Sequence, residues 1–234
     1  MIALNENPEP LHEPRGLYVQ YGCGLSCPPG WVNFDISPTL RLQRLPLIGR
    51  LFKRGQLVFP NEVRLGDIVK GLPVADGSAD GAYASHVLEH LSFTDFRIAL
   101  GNTFRILKPG GIFRLVVPDL EGRARKYLEM LQSREPTANS WFMRATYLGV
   151  ENHARGIRAT AQNIFGNSSH LWMWDEGSMT AALQAVGFVD VRRCALGDCR
   201  DHAFRVVEDA ARFYDDSIGI AECAMEAIKP KPYA

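Results

Sequence analysis

Gly22-Cys23-Gly24, Asp35, Asp67-Ile68 and Ser85-His86 are the residues whose types and spacing carry chemistry in this 234-residue chain. Each set follows a short run that reads as a β-strand: Leu17–Gln20, Trp31–Asp35, Val63–Leu65 and Asp80–Ser85. Glycine has no Cβ, so a Gly-x-Gly loop can turn sharply and press its backbone against a ligand. A carboxylate at the end of the second strand can accept both hydroxyl protons of a ribose. Asp67 offers an acceptor to an adenine amino group, and Ile68 offers an apolar wall to its ring. Histidine titrates near neutral pH, which makes His86 a candidate for proton transfer. In a parallel sheet, ligands sit beyond the carboxyl ends of the strands. A glycine triplet alone is common in turns, but in combination with the acids these strand ends outline a nucleoside site.

The elements that must position these residues alternate. A fifth strand, Ile112–Val117, is almost wholly apolar, as expected for a strand covered on both faces. Phe96, Leu100, Phe104 and Leu107 recur at helical spacing between a start signal at Ser92 and a stop at Pro109-Gly110-Gly111. A later helix begins at Asp175, buries Met179, Ala182, Leu183 and Val186, and ends at Gly187. Phe188–Val191 reads as a sixth strand. Ile220–Ile228 supplies a seventh, although Glu222–Ala227 also fits a helix. The alternation predicts an α/β, Rossmann-like three-layer sandwich with a mostly parallel seven-stranded sheet. We expect a tail over 1–16 and a single domain over 17–230, with helical insertions at 37–60 and 121–170. The second insertion holds two helices, near 123–131 and 139–148. Only Leu25–Trp31 lies between the glycine loop and the second strand, which leaves the usual crossover helix short or missing.

Composition narrows the function. Lys plus Arg number 26 and Asp plus Glu number 26, so the net charge is zero and no nucleic-acid partner is expected. No apolar run is long enough to cross a bilayer, and the polar start lacks a secretory signal. A cytoplasmic location is the default expectation. Five cysteines, an odd number at spacings wider than a zinc knuckle, are expected to be reduced thiols, and no metal is expected. Pro28-Pro29 stands where a nicotinamide-binding Gly-x-Gly-x-x-Gly would open a helix, which argues against a dehydrogenase.

Longer motifs frame these residues. They are Tyr21-Gly22-Cys23-Gly24, Gly30-Trp31-Val32-Asn33-Phe34-Asp35, Gly66-Asp67-Ile68 and Ser85-His86-Val87-Leu88-Glu89-His90-Leu91. Leu107-Lys108-Pro109-Gly110-Gly111 and Val117-Pro118-Asp119-Leu120 follow. In these motifs the chain resembles the class I S-adenosylmethionine-dependent methyltransferases, in particular a bacterial type with Gly-Trp-x-Asn-x-Asp. The resemblance is dense over residues 17–120 and resumes at 170–188. It implies S-adenosylmethionine as cofactor. Gly22, Cys23 and Gly24 would lie beside its methionine part, Asp35 at the ribose, Asp67 and Ile68 at the adenine, and Ser85 and His86 near the transferred methyl. Ala79 stands where the family often has Phe.

The acceptor is expected to be a small molecule, a sugar or a lipid-linked compound; a non-catalytic scaffold that only binds the cofactor is the alternative. Candidate bases are His86, His90, Asp119 and His170, with His86 favoured. Asp119, His170 and Trp172 are candidates for the acceptor pocket; the simpler alternatives are a pairing acid for Glu89 and a residue that caps or packs a short helix for His90. The leucine- and arginine-rich insertion 37–60 reads as a lid over the acceptor, a packing element, or a patch for transient membrane-surface contact.

Overall fold

The computed structural model describes residues 15–46, 58–149 and 169–232. The large sheet is built from β1 (Tyr18–Tyr21), β2 (Trp31–Asp35), β3 (Arg64–Leu65), β4 (Ala79–Ser85), β5 (Leu107–Val117), β6 (Val189–Arg193) and β9 (Cys223–Ile228). Its order is β3-β2-β1-β4-β5-β9-β6. All pairs are parallel except those of β9, which runs antiparallel to both β5 and β6. Two short strands, β7 (Tyr214–Asp215) and β8 (Ile220–Ala221), pair with each other. This is the mostly parallel seven-stranded, Rossmann-like sandwich that the alternation predicts.

One face is covered by helices. Helix α2 (Phe93–Ile106) is capped by Ser92, whose side chain accepts from Asp95 N. Helix α5 (Glu176–Val186) starts at a capping box between Asp175 and Ser178 and stops at Gly187, which has φ +109°. Their buried residues Phe96, Leu100, Met179 and Leu183 join Val19, Phe113 and Leu115 in the main core. Helices α3 (Leu120–Gln132) and α4 (Ala138–Ala145) follow β5, close to the two expected spans.

The opposite face is covered differently. Residues 22–30 link β1 to β2 with no helix, so the sheet there lacks its ordinary cover. The connection from β6 to β9, with short 3₁₀ turns at His202–Val206 and Ala210–Arg212, fills the gap. Phe204 lies against the rings of Tyr18, Trp31 and Tyr83. Arg114, fully buried on β5, holds this connection down. It pairs with Glu208 and Glu226 and donates to the carbonyls of Ala195 (2.7 Å) and Asp198 (2.9 Å).

One alternative falls and one expectation changes. Glu222–Ala227 is not helical: its alternation has period two, with Cys223, Met225 and Ala227 in the main core and Ala224 on the other face. Glu222 and Glu226 are tolerated inside because Arg123 and Arg114 pair with them. Pairing in β5 begins already at Leu107, and the Pro-Gly-Gly turn becomes an irregularity in the register, with Ala79 opposite Leu107 but Gly81 opposite Ile112.

At the first insertion, Ser37 caps α1 (Pro38–Gln43). Leu40 is buried with Cys23, Phe59 and Val63. Arg44 donates to the carbonyls of Pro60, Asn61 and Val63 at 2.7–3.0 Å. The base of this insertion is thus pinned down. Leu47, Ile48, Arg50, Leu51, Phe52, Lys53 and Arg54 of the expected lid lie outside the described residues, as do most of the N-terminal tail and residues 150–168. Among the described residues, no helix is long and apolar enough to cross a membrane.

Candidate active site

Two cavities adjoin at the carboxyl end of β4. The first, about 550 Å³, is bounded by Gly22, Cys23 and Gly24 after β1, by Gln20 and Tyr83 on the sheet, and by Ser85 at the end of β4. Gly22 has φ +62°, and a Cβ there would collide with Val87. Gly24 has φ +56°, and a Cβ there would meet nothing, because it would enter open space. Three polar atoms in the wall, Gln20 Oε1, the Tyr83 hydroxyl and Ser85 Oγ, are buried with no hydrogen-bond partner among the described residues. The Tyr83 and Ser85 hydroxyls are neighbours, but no bond of good geometry joins them. Buried polar groups are rarely left unsatisfied, so such a wall is one that a polar ligand completes.

The second cavity, about 490 Å³, lies beyond β4 and β5. It is lined by His86, Glu89, His90 and His170, and by Arg123 and Glu222 in a two-pronged ion pair at 2.8 and 2.9 Å. Ser85 faces one cavity and the next residue, His86, faces the other. Arg212 lines both. His86 takes the left-handed conformation, φ +53°, which is costly for a residue with a Cβ and is typical of sites held by their surroundings. Its Nε2 lies 3.0 Å from the Arg212 carbonyl and its Nδ1 lies 3.4 Å from Glu89.

The electrostatics differ between the imidazoles. Burial works to lower the pKa of His86, but the contact with the Glu89 carboxylate, its charge and the Arg212 carbonyl outweigh burial and raise it. The pKa of His170 is pushed down, by burial first and by His90 as well, against the opposing pull of Glu89. Cys23 is no nucleophile: burial, then the charge of Asp35, pushes its thiol up to about 12. All five cysteines are free.

Known proteins resemble this chain in sequence and in fold. Residues 32–115 match a family model described as a methyltransferase domain. An uncharacterized 37.1 kDa protein in transposon TN4556 of Streptomyces fradiae is 32% identical over 120 residues, which is 50% of this chain and 34% of that protein. The chain therefore spans only about a third of that relative's length. An S-adenosylmethionine-dependent methyltransferase from Archaeoglobus fulgidus superimposes with a TM-score of 0.50 at 16% identity, over 94% of this chain and 89% of that one. A possible histamine N-methyltransferase from Thermotoga maritima gives 0.46 at 18% identity, over 92% and 83%. The Archaeoglobus likeness shows the fold. The family match likens residues 32–115 to a methyltransferase domain, within the fold that the Archaeoglobus protein shares.

The first cavity fits S-adenosylmethionine. Gln20 Oε1 offers an acceptor to an ammonium group, Arg212 a cation to a carboxylate, and Tyr83 and Ser85 their hydroxyls. Asp35 is buried behind the cavity lining and closes the glycine loop: Oδ2 accepts from Gly24 N (2.8 Å) and Oδ1 from Ser37 N (2.7 Å). An ionised carboxylate has about four lone-pair sites, so these two bonds do not exhaust its capacity to accept.

Several expected residues stand elsewhere. Asp67 and Ile68 do not line the cavity: Oδ1 of Asp67 accepts from Val69 N to close a turn, and Ile68 is buried in the main core. The adenine wall expected at Ile68 is therefore turned inward. Asp119 does not line the acceptor cavity. It caps α3 by accepting from Glu121 N and pairs with Arg193 at 2.8 Å. Trp172 also stays outside, its ring tilted against Phe93 and 45% exposed. His170 lines the acceptor cavity beside His86. Gln20 and Arg212 are absent from the sequence-based candidates. A polar residue inside the apolar run of β1 is the signal for Gln20, whereas Arg212 has none, because it arrives on an irregular connection.

Proposed function

We propose that this protein transfers the methyl group of S-adenosylmethionine to a small-molecule acceptor, with the cofactor in the glycine-loop cavity and the acceptor in the histidine-lined one. The observation that carries this reading is the junction at β4, where Ser85 and His86 face adjoining cavities across a wall shared with Arg212. The cofactor, when bound, supplies a methyl group on a positively charged sulfur, already poised to leave. What the chain must add is alignment and a dry path between the two sites, since positioning alone can supply much of the barrier reduction. Asp35, Gln20 and Gly22–Gly24 hold the donor side. His86, whose ring nitrogens both face acceptors, fixes the partition. A hydroxyl or ammonium acceptor must also lose a proton, which the polar lining of its cavity can receive. The polar, charged lining favours a polar acceptor, such as a sugar or a small metabolite, over a hydrocarbon chain.

Calorimetry with S-adenosylhomocysteine and with NAD tests the first half; tight binding of the former alone is expected. Transfer of labelled methyl into fractionated cell extract tests the second. Binding without transfer to any fraction would leave a cofactor-binding scaffold.

A further inference from the structure

We propose that Glu89, His90 and His170 bind a first-row divalent transition-metal ion, such as Zn²⁺ or Mn²⁺, in the acceptor cavity. One carboxylate oxygen and one nitrogen from each ring lie within 4.8 Å of one another. Glu89 is fully buried, yet neither of its oxygens has a hydrogen-bond partner among the described residues. An ionised carboxylate without compensation is among the most expensive groups to bury. His86 Nδ1, 3.4 Å from Glu89 Oε1 in a contact of poor hydrogen-bond geometry, offsets only part of that charge.

The histidines are presented as ligands. His90 Nδ1 lies 3.1 Å from the Ser169 carbonyl, so that nitrogen carries the proton and donates it. Nε2 is left with a lone pair, facing Glu89 Oε1 at 3.9 Å. That is too far for a hydrogen bond. It is near the spacing of about 3.4 Å that two ligands take up when each sits about 2.0–2.1 Å from one tetrahedral ion. A small side-chain rotation closes the difference. Fixing one imidazole nitrogen on a carbonyl is the usual way a protein aims the other at a metal. His170 is buried beside them, with Nδ1 3.3 Å from Met173 Sδ, and one of its ring nitrogens joins the cluster.

The framework is stitched across 80 residues of sequence. Leu171 N (2.8 Å) and Trp172 N (3.2 Å) both donate to the Glu89 carbonyl, which brings His170 to the 3₁₀ turn carrying Glu89 and His90. The surrounding charge suits a cation: Glu89, Asp215, Asp216 and Glu222 outnumber Arg123 and Arg212 in the cavity lining. Two imidazoles and one carboxylate favour Zn²⁺, Mn²⁺ or Fe²⁺ over Mg²⁺ and Ca²⁺, which prefer oxygen alone. Three protein ligands leave positions open to the cavity. There the ion can hold an acceptor oxygen and lower its pKa for methyl transfer. That role rests on the methyltransferase reading; the binding of the ion does not.

The test is calorimetry on EDTA-stripped, full-length protein titrated with ZnCl₂, MnCl₂ and MgCl₂. One Zn²⁺ or Mn²⁺ per chain is expected, with Mg²⁺ far weaker. His90→Gln and His170→Gln should abolish that stoichiometric binding while far-UV circular dichroism stays native, and Glu89→Gln should do the same if it folds. Absence of one-to-one binding to the wild type, or undiminished binding in the folded histidine variants, overturns the proposal. Metal binding without S-adenosylhomocysteine binding would retain the ion site and sink the methyltransferase reading instead.

Discussion

On one face of the sheet, α2 and α5 set Phe96, Leu100, Met179 and Leu183 against Val19, Phe113 and Leu115; on the other, Phe204 and Val207 from an irregular connection stand against Tyr18, Trp31 and Tyr83. The helical face is closed by regular apolar stripes, each helix satisfying its own backbone. The irregular face is closed by a few aromatic rings and by polar anchors, with Arg114 at their centre. Both cavities draw part of their lining from that irregular connection, through Arg212. Where the cover is a regular helix, the sequence dictates stability; where it is an irregular chain, the same residues that hold the fold also shape the site. The experiments below break or sharpen that contrast.

The largest effect is expected at Arg114. Replacing it with Ala leaves Glu208 without its guanidinium inside the protein and Glu226 with Arg192 and Arg200 alone, and breaking a buried pair in this way costs about 3–5 kcal/mol. Urea unfolding measures the loss, and hydrogen exchange should show protection disappearing first over 195–213. A loss below about 1 kcal/mol would mean that the aromatic rings alone hold this face.

Next comes Asp35. Its carboxylate ties Gly24 N into the loop and is proposed to face the ribose. Asp35→Ala should weaken S-adenosylhomocysteine binding by about 1.5–3 kcal/mol, the worth of hydrogen bonds to a charged group. Calorimetry showing unchanged affinity would remove Asp35 from the cofactor site and leave it as a loop clasp.

His86 links the two cavities, so its effect should divide between them. His86→Asn keeps a residue that tolerates the left-handed backbone while removing the ring. Turnover should fall about tenfold, equivalent to about 1.4 kcal/mol in the barrier, while cofactor affinity stays near that of the wild type. An equal loss in both would place His86 on the cofactor side; equal turnover would make it a packing residue.

The same contrast explains how much was legible in the sequence. Helix α2 announces itself through Phe96 and Leu100 at helical spacing and through Ser92 at its start, because one buried stripe and one cap are local signals. The strand ends that bring Gly24, Asp35 and Ser85 together are equally local. The end of the chain was ambiguous for a physical reason: Glu222 and Glu226, four apart, fit an exposed helix face, and it takes Arg123 and Arg114, some hundred residues earlier, together with Arg192, to make them tolerable inside. Phe204 carries no period at all, since its connection follows the surface of the sheet and not a repeat of its own. Glu89 and His90 read as a pairing acid and a capping histidine until the backbone bonds from Leu171 and Trp172 bring His170 beside them. Asp119 looked free only because its partner, Arg193, is 74 residues away.

The smallest effect is expected at Asp175, on the helical face. Its Oδ1 accepts from Ser178 N at 2.7 Å, and Ser178 Oγ accepts from Asp175 N at 3.2 Å, so two donors at the start of α5 are satisfied reciprocally. The carboxylate also lies at the positive end of the helix dipole. Asp175→Ala removes one bond and this charge and should cost about 1 kcal/mol of stability. Asp175→Asn, which keeps a capping oxygen, should cost less. Asp175 lines neither cavity, and the helix it caps meets the sheet through Met179 and Leu183, away from the irregular cover. Both variants should therefore bind S-adenosylhomocysteine as the wild type does. Reduced affinity in the folded Asp175→Ala protein would show that fraying of α5 reaches through the sheet to the cofactor cavity, and the two faces would then have to be treated as one cooperative unit.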